Sequence, residues 1–337
     1  MAGLSRGLAG AAGLAAVALA TGGSALAQWA PLPAECRREI MALCRSSMGG
    51  GMRECVRRVR PQLSESCRKG IADRTAGARP LPPGMREVAY GRDARQKLDY
   101  ARPAGTAKAP MLVFIHGGGW SIGDKRHATG PKVAHFLGRG WAFASVNYRL
   151  VPAASVESQA ADIAAALAWL RANAAANRLD ANRIVLMGHS AGAHLAALVA
   201  TDPAYLAAAR VPLSAIDGVV LLDGAAYDVA GQLANPRNAV SGMYDAAFGA
   251  DPARQARLSP TRHVAPPNAA NWLILPIARR DASTAQSNLL AAALRRAGAS
   301  AAVIPVPGES HASLNRGLGE AGDFATSEVD KFLAALR

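Results

Sequence analysis

Acids, aromatics and cysteines are scarce in this sequence, and each shortage narrows what it can be. Twenty-four Asp and Glu stand against 38 Lys and Arg in 337 residues, a formal net charge of +14. So basic a chain raises nucleic acid as a partner. Aromatic residues make up only 5%, however, and no basic stripe is interleaved with them. The stacking surface of a strand binder is therefore missing, and no nucleic acid partner is expected. The charge is left to solubility or to attraction toward an acidic surface. Cysteine occurs only as Cys36, Cys44, Cys55 and Cys67. None of these are two to four residues apart, the usual spacing of structural zinc ligands, so no metal is expected. There is no internal repeat and no long low-complexity tail. What is abundant is apolar: 50% of residues are hydrophobic, enough for one large α/β domain and a small extra module.

Residues 1–27 read as a signal peptide. Arg6 is their only charge, an Ala/Leu/Val/Gly stretch follows, and Ser24-Ala25-Leu26-Ala27 offers small residues where a signal peptidase reads. The stretch is too mildly apolar for a membrane anchor, and no basic cluster follows it at once. No cysteine lies at the cleavage point to carry a lipid. The expected location is exported, periplasmic or secreted.

Residues 28–79 hold all four cysteines, with eleven basic and five acidic side chains. An even cysteine count in an exported chain predicts disulfides. Cys36 and Cys44 fall on one predicted helix and Cys55 and Cys67 on a second, with Met48-Gly49-Gly50-Gly51 as the turn. An antiparallel pair brings Cys36 to Cys67 and Cys44 to Cys55. The segment resembles the short cysteine-rich repeat of a Golgi membrane glycoprotein and of some bacterial exported proteins. It is either a solvated helical hairpin or a module that docks to an anionic envelope surface. Arg79-Pro80-Leu81-Pro82-Pro83-Gly84 then makes a stiff linker.

Residues 80–337 alternate strand and helix, which predicts a mostly parallel sheet with helices on both faces. Expected strands are Val88–Tyr90, Lys97–Tyr100, Met111–His116, Trp141–Asn147, Arg183–Gly188, Gly218–Asp223, Trp272–Ala278 and Ala301–Val306. Expected helices are Thr129–Gly138, Gln159–Ala174, Ala191–Ala200, Ala285–Ala297 and Glu328–Leu336. Between them Ala225–Asn271 is ragged and rich in proline.

Two glycine motifs carry the chemistry. Gly188-His189-Ser190-Ala191-Gly192 follows an apolar run and precedes a small-residue helix. Strand, sharp turn and helix with serine at the turn is a nucleophile elbow, and the glycines allow the tight backbone it needs. His116-Gly117-Gly118-Gly119-Trp120 follows another apolar run. Its bare amides, those of Gly118 and Gly119, together with the Ala191 amide, suit an oxyanion.

On these motifs, with Asn147-Tyr148-Arg149-Leu150-Val151-Pro152, Asp162 and Ala168-Trp169-Leu170, residues 85–337 resemble the α/β-hydrolase superfamily. The likeness is to esterases similar to hormone-sensitive lipase and to the carboxylesterase, feruloyl esterase and kynurenine formamidase branch. It implies an α/β-hydrolase fold, a roof over the site from Ala225–Asn271, and a Ser–acid–His triad in that chain order. It also implies hydrolysis of small or medium carboxylic esters without a cofactor, with amide or formamide hydrolysis as the alternative. A non-catalytic surface-binding protein that kept the fold is a third reading. Ser190 is the expected nucleophile. His311 alone among seven histidines follows the last expected strand, and it is the expected base. For the acid, Asp281 is the only carboxylate in the loop after Trp272–Ala278, 30 residues before His311. Asp223 and Glu309 are its rivals. Ile277-Ala278 stands where the family carries His-Gly. Trp120 and His189 are expected to touch substrate.

Overall fold

A computed structural model describes residues 34–45, 52–68, 71, 81–105, 108–126, 130–234 and 241–336. The expected signal peptide, the glycine turn and the first two residues of the stiff linker lie outside these residues. The chain forms two compact units divided between Arg74 and Thr75.

In the first unit, α1 (Ala34–Leu43) and α2 (Met52–Val59) each turn one face inward. Ile40, Val56, Val59 and Leu63 pack with all four cysteines. Disulfides join Cys36 to Cys67 and Cys44 to Cys55, with Cα atoms 4.8 and 5.8 Å apart. A core this small buries too little apolar surface to stand alone, and the two bridges limit the unfolded chain instead.

The second unit is an eight-stranded sheet in the order β1-β2-β4-β3-β5-β6-β7-β8. The strands are β1 (Arg86–Ala89), β2 (Lys97–Ala101), β3 (Ala109–Ile115), β4 (Ala142–Val146), β5 (Leu179–His189), β6 (Ile216–Leu222), β7 (Asn271–Leu275) and β8 (Ser300–Val303). β2 pairs antiparallel with β1 and β4, and all later pairs are parallel. The central strands read as unbroken Val, Ile and Leu because both faces are covered. One face packs on α4 (Val156–Ala172) and α5 (Ala191–Thr201). The other packs on α3 (Lys132–Gly138) and α12 (Phe324–Ala335). This is the α/β-hydrolase fold.

The remaining helices are α6 (Pro203–Ala208), α7 (Val229–Leu233), α8 (Ser241–Phe248), α9 (Pro252–Arg257), α10 (Asp281–Arg296) and α11 (His311–Gly317). All eight expected strands are present. α10 begins at Asp281 rather than Ala285, and α11 was not expected. Both differences fall on the candidate site.

Candidate active site

The elbow is formed as the glycines require. Ser190, between β5 and α5, has φ 57° and ψ −122°, a strained conformation for a residue with a Cβ. A Cβ on Gly188 would run into the Gly192 backbone, and one on Gly192 into the carbonyl of Ile115. The Ser190 amide is tied to the Leu222 carbonyl at 3.0 Å. Ser190 therefore stands at the carboxyl ends of the central strands, where open α/β sheets bind ligands.

The glycine loop after β3 lies against it. A Cβ on Gly117 would approach the Ser190 Cβ to 2.9 Å. Gly118 and Gly119 have φ of 127° and 58°, backbone that favours glycine. The loop is anchored behind: the Trp120 carbonyl accepts from the Val151 amide at 3.0 Å and from Gln159 Nε2 at 2.7 Å. Tyr148 Oη donates to the His116 carbonyl at 2.7 Å. Arg149 forms a two-point pair with Asp162. The tyrosine of the Asn-Tyr-Arg run thus braces this loop, and the arginine ties the segment after β4 to Asp162 of α4.

His311 is the first residue of α11. Ser310 caps that helix, its Oγ accepting from the Ser313 amide at 3.1 Å, and this fixes where the imidazole emerges. Its Nδ1 lies 2.6 Å from Asp223 Oδ2. Asp223 follows β6 and is buried. Its Oδ1 accepts from the Ile277 amide at 3.1 Å and from Ser283 Oγ at 2.7 Å. Arg280 Nη1 pairs with Oδ2 as well. Burial opposes the charge, but the His311 hydrogen bond, the charges of Arg280 and His311, and the Ser283 hydroxyl hold this carboxyl well below the usual carboxylate range. The pairing sets the tautomer: Nδ1 carries a proton toward Asp223, and Nε2 is free to accept one.

Three expectations need correction. Asp281 is not the carboxylate beside His311. It is exposed at the first turn of α10, where a helix N-terminus favours a negative charge, and Asp223 takes the place expected of it. His189, expected to touch substrate, is instead found buried: its ring packs 4.5 Å from that of His311, and its Nε2 meets the His311 carbonyl at 2.8 Å. It braces the backbone of the histidine. Trp120 is also buried, boxed by Phe248, Tyr244 and His194 at 4.7, 5.5 and 5.4 Å between ring centres. The residue that meets the glycine loop is Met243 of α8, since a Cβ on Gly119 would run into its sulfur. Among the described residues no group of His, Cys, Asp and Glu is arranged to hold a metal.

Residues 98–294, more than half of the chain, match the family model described as BD-FAE. The chain belongs to this family. Similar curated proteins include esterase LipQ of Mycobacterium tuberculosis, 37% identical over 125 residues, or 35% of this chain and 30% of the relative. Isoprenylcysteine alpha-carbonyl methylesterase ICME of Arabidopsis thaliana is 34% identical over 122 residues, 35% of this chain and 28% of the relative. The chain thus spans about a third of the length of the curated relatives it matches. Among solved structures, native esterase 2 of Thermogutta terrifontis superposes with TM-score 0.61 at 24% identity, covering 76% of this chain and 94% of that one. A putative thioesterase from a Silicibacter species gives 0.60 at 26%, covering 76% and 87%.

Proposed function

We propose that the BD-FAE unit is a serine hydrolase of carboxylic esters with a Ser190–His311–Asp223 triad. The observation that supports this reading is the His311–Asp223 pair, with His311 packed on His189, the neighbour of a strained serine that itself lies against the glycine loop. Ser190 Oγ attacks the ester carbonyl as His311 Nε2 takes its proton. The Gly118, Gly119 and Ala191 amides receive the oxyanion. His311 then protonates the leaving alcohol, and water repeats the sequence on the acyl-enzyme. Donors of this kind contribute about 3–4 kcal/mol each. The residues need no cofactor to do this.

The acyl group of the proposed substrate is small. Its leaving oxygen must lie toward His311, so the acyl chain points away, past the oxyanion loop. Met243 lies on that loop, with Trp120, Tyr244 and Phe248 packed behind it. Export, and attraction of the arginine-rich first unit to an anionic envelope surface, complete the proposal; they rest on the sequence alone.

The test is hydrolysis of nitrophenyl esters of rising acyl length, with N-formylkynurenine and feruloyl esters beside them. Ser190→Ala should abolish turnover, a loss on the order of 10⁶, and a fluorophosphonate should label Ser190 alone. More than a tenth of the activity surviving in that variant rejects the triad. Met243→Ala should extend the tolerated acyl chain. An extended alcohol range with an unchanged acyl range would instead place Met243 on the leaving-group side. Faster hydrolysis of N-formylkynurenine than of any ester would replace ester by amide chemistry.

A further inference from the structure

Asp223 Oδ2 accepts from two side chains at once. His311 Nδ1 reaches it at 2.6 Å, and Arg280 Nη1 pairs with the same oxygen from the loop between β7 and α10. Arg280 Nη1 also lies 2.8 Å from His311 Nδ1. A carboxylate oxygen 2.6 Å from Nδ1 can only accept, so Nδ1 carries the proton and has no lone pair left to accept one from the guanidinium. The Nδ1 proton belongs to Asp223, and Arg280 bonds the carboxylate alone. A permanent positive charge is therefore held against the imidazole that must itself become positive during each acylation.

We propose that Arg280 is a positioning residue of the hydrolytic site: it shares the triad carboxylate with His311 and, by its charge, extends the working range of the site into acid. This rests on the triad reading above. Coulomb repulsion between a guanidinium and an imidazolium at this range opposes protonation of the resting ring. An unopposed buried carboxylate would pull the other way.

The other groups that face His311 do not supply this charge. His189, from the end of β5, is buried and its basicity is lowered to about 3, by burial first and by the neighbouring His311 charge second. It stays neutral. Glu309 is two residues upstream on the same loop, and its charge is negative. Tyr244, on α8, senses the charges of Arg280 and Asp223, and burial pushes its hydroxyl up, so it too stays neutral. Lys132 meets the far end of α11 through the Asn315 carbonyl. Among the described residues, Arg280 is the one whose fixed positive charge is held against Nδ1.

The experiment compares the pH dependence of kcat/KM on a neutral short-chain ester for wild type, Arg280→Gln and Arg280→Lys. The acid limb should move upward by about half a pH unit or more in Arg280→Gln, and Arg280→Lys should stay with wild type. A merely structural arginine would lower the rate at every pH and leave the limb in place. The side chain is 42% exposed, so its loss opens no buried cavity, and thermal melts of the three proteins verify folding. The same comparison is made without turnover, by NMR titration of the His311 ring in the Ser190→Ala background with and without Arg280→Gln. A limb and a ring titration that both coincide with wild type overturn the role of Arg280. So does an Arg280→Lys profile displaced as far as that of Arg280→Gln. If Ser190→Ala were still active, the triad reading itself would fall, whereas the ring titration would still report on Arg280.

Discussion

Asp223 and Lys132 are both buried ionisable groups, and they tie opposite ends of the helix that begins with His311. Asp223 meets the imidazole at the first turn of α11. Lys132 Nζ donates to the carbonyl of Asn315 in its last turn. Their surroundings answer burial in opposite ways. Asp223 is met by a guanidinium, an imidazole N–H, a hydroxyl and a backbone amide, and its charge is secured. Lys132 has one neutral carbonyl, the face of Phe114 at 5.5 Å and only the more distant charges of Asp323 and Glu320. Its amine is pushed down to about 7, with burial as the main cause. Burial alone therefore does not decide whether a charge survives in a protein; the number and sign of the partners do. The His311 end of α11 is built to hold charge, and the far end is not.

The largest expected effect breaks the charged end. Asp223→Asn should leave Ser190 and the fold in place but present His311 in the wrong tautomer, with a loss of roughly 10⁴ in kcat. Steady-state kinetics on a short nitrophenyl ester measures it. Activity within tenfold of wild type would return the acid to another residue.

The second effect tests the other end. The folded-state basicity of Lys132 is lowered, so between about pH 7 and the unfolded value near 10.4 the unfolded chain binds more protons than the native one. Stability attributable to this residue must then rise with pH across that window. Below pH 7 the cost of the buried amine is fully present. Urea melts at pH 7 and pH 10 should show wild type gaining up to about 4 kcal/mol more than Lys132→Met over the interval. Equal gains in the two proteins would mean that Lys132 is not the group that titrates.

A third effect separates the supports of Asp223. Ser283 Oγ lies 2.7 Å from its Oδ1. Ser283→Ala removes one hydrogen bond to a charged group, about 1.5–3 kcal/mol of stability. It leaves His311 on Oδ2, so turnover should fall by about tenfold rather than 10⁴. A denaturation curve and kcat from one preparation suffice, and a collapse of kcat equal to that of Asp223→Asn would show that the carboxylate turns freely without this hydroxyl.

How much of this site could be read from the residues follows from how each part is encoded. The elbow and the glycine loop need backbone that only glycine tolerates, or a Cβ-free approach, so their sequences are constrained and legible. The strands are legible because buried parallel strands are continuous apolar runs. The nested disulfides were legible as the pairing of an antiparallel hairpin, although Cys67 lies beyond the end of α2 rather than on it. The acid is different. Any carboxylate at the end of a late strand satisfies the Ser–acid–His order, and both Asp223 and Asp281 do. What misplaced it was the start of α10. Arg280 provides no side-chain cap, and Ser283-Thr284 reads as loop, yet both residues lie within the helix and Ser283 turns toward Asp223. A weak signal was present: Asp223 stands between the β6 run and Gly224 with φ 45°, a conformation that Asp tolerates better than most residues. Helices of five to eight residues, such as α7, α8 and α11, are too short to show a period. Met243 and the neighbours of His311 were hidden for that reason.

The smallest expected effect sharpens the comparison between the two aspartates. Asp281 is exposed in the first turn of α10. There a negative charge lies near the unpaired amides of the helix start and stabilises it by roughly 0.3–1 kcal/mol, less at high salt. Asp281→Asn keeps the size and hydrogen-bonding shape of the side chain and removes only the charge. The expected result is a melting temperature lower by a degree or two at low salt, a difference that shrinks as salt is added. Turnover should match wild type, because neither His311 nor Asp223 is touched. The same substitution at Asp223 removes a charge of equal size, and the contrast of roughly 10⁴ in kcat between the two variants comes from position alone. Should Asp281→Asn prove inactive while Asp223→Asn works, the carboxylate that serves His311 in solution is the one at α10, and the pairing seen at the end of β6 is not the working state.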